Sequence, residues 1–90
     1  MDAELTHIGF GNFLRKDRVV AILPPNSAPT KRLIHDRRNS GLLIDMTSGR
    51  KTKAVLVMDS GHLVLAAIAA ETLAGRMAAP AEGKPEKTSG

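Results

Sequence analysis

Four runs of mainly apolar residues stand out against the polar background of this chain, each of strand length and each containing β-branched side chains. Continuous apolar runs of this kind favour strands that are buried on both faces. The pattern therefore predicts strands over residues 19–23, 42–46, 53–58 and 63–68.

A fifth strand is predicted ahead of these four, over residues 5–13. It contains Gly9 and Gly11, and glycines inside a strand indicate a bulge or a close approach of the backbone to another segment. Asn12 is expected to help close the adjacent turn, because its side chain can hydrogen-bond to nearby backbone groups.

One main helix is predicted between the second and third strands, ending near residue 40. Asn26 or Ser27 is expected to cap its start, and Pro29 is tolerated in the first turn, where a missing N–H costs little. Gly41 supplies a left-handed stop. Three side chains are predicted to face the core: Leu33, Ile34 and the stem of Arg37.

The last apolar run follows a tight turn at residues 59–62, whose composition is typical of a hairpin. A single helix over residues 62–77 is the alternative, because alanine is abundant there. We favour the hairpin, followed by a short helix over residues 71–77. Prolines, a glycine and alternating charges then indicate disorder. The predicted organisation is one domain, residues 1–77, and a disordered polar tail, residues 78–90.

These elements predict a small α+β fold in the order β-β-α-β-β-β-α, with a largely antiparallel sheet and one main helix. Because the apolar runs are continuous, we expect both sheet faces to be covered, by the helices on one side and by another subunit on the other. A chain of 90 residues buries only a modest core, which also favours an oligomer.

Positive charge is concentrated in the middle of the chain. Residues 15–53 contain ten Lys or Arg and three Asp, a net charge of +7, whereas the remaining residues carry −3. This asymmetry favours a nucleic acid or another anionic partner. Arg37 and Arg38 have a simpler explanation, because cations are stabilising at the C-terminus of a helix.

The densest basic segment, residues 47–53, separates two apolar runs and is interpreted as a basic hairpin at the rim of the sheet. Arg50 is the best candidate to enter a duplex groove, because its guanidinium is planar and permanently charged. Lys51 and Lys53 suit contacts with phosphates.

Aromatic residues are scarce: the chain has two Phe and neither Tyr nor Trp. Proteins that bind single strands stack bases on several aromatic rings, so double-stranded DNA is the expected nucleic acid. We expect Phe10 and Phe13 to be core residues. No helix-turn-helix pair is visible, since only one good helix precedes residue 60, and loops and strands must therefore carry the cations.

Catalysis has little support in this sequence. The three histidines lack the spacing of a metal site, and no carboxylates have the spacing of an acid–base pair. Gly9 and Gly11 are not followed by the third glycine of a nucleotide-binding loop. We expect no catalytic residue, no metal, no cofactor and no small-molecule substrate.

The absence of cysteine is typical of a protein of the reducing cytoplasm and excludes cysteine-ligated zinc. The start of the chain is acidic where a signal peptide would be positive. The longest apolar run has eight residues, far fewer than the about 20 that cross a bilayer. We therefore expect a cytoplasmic protein without membrane contact.

Five short motifs follow one another along the chain: Ile8-Gly9-Phe10-Gly11-Asn12, Ser27-Ala28-Pro29 with Lys31-Arg32, Leu43-Ile44-Asp45, Gly49-Arg50-Lys51-Thr52-Lys53-Ala54-Val55, and Val57-Met58-Asp59-Ser60. In this order they closely resemble the RemA family of bacterial regulators, which is named for control of extracellular-matrix (biofilm) genes. The resemblance runs from about His7 to Arg76, nearly without gaps.

The resemblance implies a DNA-binding transcriptional regulator whose subunits assemble into a ring, with duplex DNA along a basic rim. The arginines that serve DNA binding in the family correspond to Arg50-Lys51 and to Arg18, and we add Arg32 and Lys53 as further contacts. Pro29 is implied to serve folding or assembly. Family members often carry two arginines where this chain has Arg50-Lys51. Lysine has the same charge as arginine but lacks the planar, forked set of N–H donors of a guanidinium.

Two other functions stay open on the residues alone. One is a structural or protein-interaction oligomer whose basic face binds an acidic partner. The other is a small-ligand sensor built on residues 9–12. The ring-forming DNA-binding regulator is favoured, because the segregated charge, the basic segment and the family pattern agree with one another.

Overall fold

The computed structural model describes residues 5–78, which form six strands, two helices and a single 3₁₀ turn. The strands are β1 (Leu5–Gly9), β2 (Asn12–Arg15), β3 (Val19–Leu23), β4 (Leu43–Asp45), β5 (Ala54–Met58) and β6 (Leu63–Ala66), and the helices are α1 (Ala28–Ser40) and α2 (Ala70–Ala78). The predicted α+β class and element order are confirmed, except that the first predicted strand is two strands. The predicted tail lies outside the described residues, apart from Ala78.

β1 and β2 form a hairpin that stands apart from the main sheet. Gly9 pairs with Asn12, the register shifts between His7 and Gly9, and Asn12 Nδ2 donates a hydrogen bond to Gly9 O at 3.2 Å. A Cβ atom on Gly9 would lie 3.2 Å from Ile68, which is closer than most real contacts. The predicted bulge, the close backbone approach and the role of Asn12 in the turn are therefore confirmed.

Side chains alternate along this hairpin between the core and the outside. Ile8 and Leu14 are buried, whereas Leu5 and Phe13 are 63% and 54% exposed. Phe10 occupies the turn and is 47% exposed. The expectation that both phenylalanines belong to the core is therefore wrong, because one lies on the outer face and the other at the tip.

The main sheet has four strands in the order β3-β5-β6-β4. The β3–β5 and β5–β6 pairs are antiparallel and the β4–β6 pair is parallel, so the sheet is largely antiparallel as predicted. Because β6 lies between β4 and β5, the basic segment that joins them crosses the end of β6. The expected basic hairpin is thus wrong, and the segment is a crossing loop at the carboxyl ends of β3, β6 and β4.

Both faces of the main sheet are covered within one chain. One face packs on α1 through a cluster of three buried residues: Val55, Leu63 and Leu65. The predicted inner residues of α1, Leu33 and Ile34, contact this cluster. The other face packs on the hairpin and α2 through Ile8, Leu56, Val64 and Leu73. The expectation that both helices share one face and another subunit covers the other is wrong, because the helices lie on opposite faces.

α1 begins and ends at the predicted signals. The Ser27 hydroxyl accepts a hydrogen bond from Thr30 N–H at 3.3 Å, and Gly41 has a φ of +79°. Arg37 Nε donates to Gly61 O at 2.8 Å, which ties the C-terminal end of α1 to the β5–β6 turn. α1 therefore runs along the sheet from the basic-loop end to the opposite end.

The turn at residues 59–62 joins β5 to β6 as a hairpin, and the alternative of one helix over residues 62–77 is wrong. Backbone hydrogen bonds between Met58 and His62 and between Met58 and Gly61 close this turn. In the part of the chain that the structure describes, neither helix is long and apolar enough to cross a membrane.

Candidate nucleic-acid interface

The basic loop, residues 47–53, opens with a tight turn. Ser48 and Gly49 have φ values of +54° and +80°, and Arg50 N–H donates a hydrogen bond to Thr47 O at 3.0 Å. Two successive residues with positive φ are typical of a type I′ turn, where glycine is favoured at the second position. The turn leaves Arg50 and Lys51 exposed at the rim of the sheet.

Asp45, the last residue of β4, stabilises this turn. Its Oδ1 accepts hydrogen bonds from Thr47 Oγ1 at 2.6 Å and from Thr47 N–H at 2.9 Å, and Thr47 is 2% exposed. These two hydrogen bonds lower the pKa of Asp45 below its ordinary value, and the positive charge of Arg38 adds to the lowering. The carboxylate is therefore ionised at neutral pH and holds the start of the loop.

Arg50 contacts an aromatic ring that lies far away in the sequence. Its Cζ atom is 4.7 Å from the centre of the Phe10 ring. A guanidinium over a ring face is attracted by the ring quadrupole, and at an exposed site this is worth about 0.5–1 kcal/mol. The contact joins the hairpin tip to the basic loop, and we call Phe10 together with residues 47–53 the rim surface.

Lys51 and Lys53 extend the rim surface. Both are exposed, and neither side chain has an ion pair or hydrogen bond with another residue of the 5–78 segment. Lys53 N–H donates to Ala66 O at 2.8 Å, which anchors the loop to the end of β6. These ammonium groups suit phosphate contacts, because no internal ion pair has to break first.

Arg18 lies at the opposite end of the main sheet from the basic loop. It precedes β3, whose Val19 pairs with Met58, whereas Leu23 pairs with Val55 beside the loop. A five-residue strand such as β5 spans about 16 Å. Within one subunit, the structure therefore does not bring Arg18 and Arg50 together.

Arg18 is paired with an acidic side chain. Its Nη1 lies 3.0 Å from Asp59 Oδ2, with the two side chains 53% and 44% exposed. Asp59 N–H also donates to Arg18 O at 2.9 Å. An exposed ion pair of this kind is typically worth no more than about 1 kcal/mol, so exchanging the carboxylate for a phosphate costs little.

Arg32 is exposed on α1 and borders a shallow concavity with Pro29, Leu33 and Asp36. The first turn of α1 is at the basic-loop end of the sheet, but α1 covers the face opposite the β1–β2 hairpin. Arg32 is thus separated from Phe10 by the thickness of the sheet. It forms a second basic position near the same end rather than part of the rim surface.

The structure groups three of the five predicted contact residues. Arg50, Lys51 and Lys53 share one loop, whereas Arg18 and Arg32 lie on other elements. These three cations lie together because they are neighbours in sequence, and the charge pattern shows that much. The positions of the other two depend on how strands pair, which the charge pattern does not contain.

Two features of the rim surface were missed by sequence reasoning. The first is the contact of Phe10 with Arg50, for which the only signal was a bulky residue between two glycines. The second is the hydrogen bonding of Thr47 to Asp45, although an Asp two residues before a turn residue is a recognised local pattern. Both features order the loop without adding positive charge.

The fold and the rim surface define a small basic α+β protein that presents cations on a braced loop at one end of a sheet. The chain belongs to the RemA-like family, because the family model for extracellular matrix regulatory protein A-like proteins matches residues 5–77. The resemblance inferred from the five sequence motifs is thereby confirmed.

Bacterial relatives match nearly the whole chain. A protein of Dehalococcoides mccartyi strain BAV1 is 60% identical over 88 residues, covering 96% of this chain and 92% of the relative. One of Synechococcus sp. strain JA-3-3Ab is 51% identical over 87 residues, covering 97% and 98%. One of Desulfatibacillum aliphaticivorans is 54% identical over 84 residues, covering 93% and 94%. All three are provisionally named regulatory proteins, a naming that refers to regulation and not to catalysis.

Proposed function

We propose that this protein is a transcriptional regulator that binds duplex DNA through a basic rim repeated around an oligomeric ring. The observation that carries the proposal is the rim surface, where Arg50, Lys51 and Lys53 are exposed on one loop fixed at both ends. Such a cluster attracts phosphates regardless of base sequence, and the release of counterions from DNA drives binding.

Repetition is part of the proposal because one subunit offers few contacts. The rim cations lie at one end of the sheet and Arg18 at the other. When subunits are joined, contact by one rim raises the effective concentration of its neighbours for the same duplex. Weak single contacts then add up to stable binding along one DNA molecule.

Two exposed apolar surfaces support self-association. The outer face of the hairpin carries Leu5 and Phe13, and β3 at the edge of the main sheet carries Val20, which is 65% exposed. A ring requires two different surfaces that fit each other head to tail. These two surfaces lie on separate elements, and we assign the subunit contacts to them.

The genes under control are proposed from the family name. That name refers to regulation of the extracellular matrix, so matrix genes are the first targets to examine. Genome-wide mapping of bound DNA, with Arg50→Ala as the control, tests this part. If the sites that are lost in Arg50→Ala lie away from matrix genes, DNA binding is supported and the matrix assignment is excluded.

The experiment that tests DNA binding is a titration of a duplex with protein at several salt concentrations. We expect affinity to fall steeply with salt, since phosphate neutralisation releases counterions. Arg50→Ala should lower the affinity and reduce the slope of log K against log salt by about 0.9 for each phosphate that Arg50 no longer neutralises.

Arg15→Ala is the matched control for that titration. It removes the same charge from the exposed end of β2, where Arg15 pairs with Leu5 at the end of the hairpin opposite the Phe10 turn. Equal decreases in affinity in both variants would show that net charge alone matters, and salt-independent or absent duplex binding would refute the proposal. Retention of a stoichiometric acidic protein from nuclease-treated lysate, abolished in Arg50→Ala, would favour the interaction oligomer instead.

A further inference from the structure

The β1–β2 turn holds a bulky residue in a backbone conformation that such residues rarely adopt. Gly9, Phe10 and Gly11 have φ values of +103°, +54° and +79°. Since Gly9 pairs with Asn12, Phe10 and Gly11 are the two central residues of the turn. Positive φ at both of these positions strongly favours Asn, Asp or Gly at the first, so phenylalanine there is strained.

Packing of the ring does not account for this strain. Phe10 is 47% exposed, whereas a phenylalanine kept for its apolar surface is normally well buried. The ring instead faces the Arg50 guanidinium at 4.7 Å. Strained positions persist where the surrounding structure enforces them, and they are concentrated at functional sites.

Both turns that make this contact are fixed in place. On the hairpin side, Gly9 is buried and has a φ of +103°, and a Cβ atom there would lie 3.2 Å from the Ile68 side chain. On the loop side, Arg50 N–H closes the turn on Thr47 O, and Thr47 is held by Asp45. An arginine that is already ordered loses less conformational freedom when it binds a partner.

We propose that Phe10 is a positioning residue for Arg50. Its ring stacks on the guanidinium, keeps that group directed outward from the rim surface, and so raises the affinity for duplex DNA. Stacking uses the face of the guanidinium and leaves the N–H donors at its edge available for phosphate or base acceptors. The inference rests on the proposed function and assigns Phe10 an effect that acts only through Arg50.

Substitutions at residue 10 test this role. Phe10→Asn removes the ring and introduces a residue that tolerates positive φ, so we expect a thermal midpoint equal to or above that of the wild type. Duplex affinity should nevertheless fall, by about 2- to 5-fold for each Arg50 in contact with DNA. Phe10→Tyr keeps a ring and is expected to retain wild-type affinity, whereas Phe10→Leu should bind as weakly as Phe10→Asn.

The Arg50→Ala background separates positioning from direct contact. There we expect Phe10→Asn to cause no further decrease in affinity, and a further decrease would overturn the proposal because the ring itself would then contact DNA. Unchanged binding by Phe10→Asn in the otherwise wild-type protein would overturn the positioning role and leave the proposed function standing. Absence of duplex binding by the wild type would refute the proposed function itself.

A spectroscopic measurement reports on the stacked pair without DNA. Because the chain has no tryptophan, the fluorescence of Phe10→Trp reports this site alone. We expect its emission to change when Arg50→Ala is added, since the stacked guanidinium is then absent. An emission that does not respond to Arg50→Ala would show that the ring and the guanidinium are not stacked in solution, and would overturn the proposal.

Discussion

Asp45 is a carboxylate among cations, yet it stabilises the loop that presents them. A negative charge repels the phosphates of DNA, but this carboxylate also accepts hydrogen bonds from the hydroxyl and the backbone N–H of Thr47. Thr47 is almost fully buried and has Arg50 N–H bonded to its carbonyl. The fixed conformation of the turn at Arg50 therefore depends on an acidic residue, which a search for basic residues alone does not find.

Asp45→Ala should destabilise the fold through these hydrogen bonds. It leaves two donors on a residue that is 2% exposed without their acceptor, and an unsatisfied buried polar group costs about 1–3 kcal/mol. We expect the free energy of unfolding, measured by urea titration, to fall by this amount. Asp45→Asn is the control, because its amide oxygen can still accept, and its decrease in stability should be smaller. Unchanged stability of Asp45→Ala would contradict the bracing role.

At the scale of secondary structure, elements set by local signals were predictable and strand neighbours were not. The cap, the apolar side and the terminal glycine of α1 all lie within one segment, so the prediction of each is confirmed. The place of β6 between β5 and β4 depends on pairing between distant residues. The hydrophobic pattern does not show which strands pair, so its prediction of a hairpin between β4 and β5 is wrong.

The N-terminal hairpin shows a second limit of local patterns. Residues 5–13 lack the Asn-Gly or Asp-Gly pair that marks a two-residue turn, and their two glycines predict a bulge within one strand. The turn is made by Phe10 and Gly11, a pair that turn statistics disfavour. Strand pairing between β1 and β2 and the burial of Gly9 fix the position of this turn, although its central residues depart from the usual ones.

The N-cap of α1 gives a prediction at this scale. Ser27→Ala removes the hydroxyl that accepts from Thr30 N–H and donates to Thr30 Oγ1 at 2.8 Å. Removal of a serine cap costs about 1 kcal/mol, and we expect that decrease in the free energy of unfolding in a chemical denaturation experiment.

Asn26→Ala is the matched control for the cap, because the sequence offered Asn26 as an equal candidate and the structure assigns the cap to Ser27. Asn26 is exposed and its replacement should leave stability unchanged. A larger decrease in Asn26→Ala than in Ser27→Ala would place the start of α1 one residue earlier than the structure does.

At the scale of the whole molecule, the candidate contacts are divided between two ends of one sheet. The rim surface lies at the carboxyl ends of β3, β6 and β4, and Arg18 lies near their amino ends beside Asp59. With Arg32 on the other face of the sheet, a single subunit therefore offers three small, separate basic positions rather than one large one. In the ring that we propose, repetition of these positions supplies the number of phosphate contacts that one subunit lacks.

The proposed assembly can be tested on the outer face of the hairpin. Phe13 is 54% exposed there and lines a shallow concavity with Leu5 and Met58. An exposed apolar surface of this kind favours association, because contact removes it from water. We expect light scattering of the wild type to give a mass several times the 9.6 kDa of one chain, and Phe13→Ser to reduce it.

Duplex length then connects assembly to DNA binding. Phe13→Ser leaves the rim surface of each subunit intact, so its affinity for a duplex that spans one subunit should stay near the wild-type value. Its affinity for a long duplex should fall strongly, because separate subunits no longer share one effective concentration along the DNA. Thr72→Ser, a conservative substitution of an exposed residue on α2, is the control and should alter neither the mass of the assembly nor its affinity for DNA. A monomeric wild type with tight binding to long duplexes would contradict the multivalent ring.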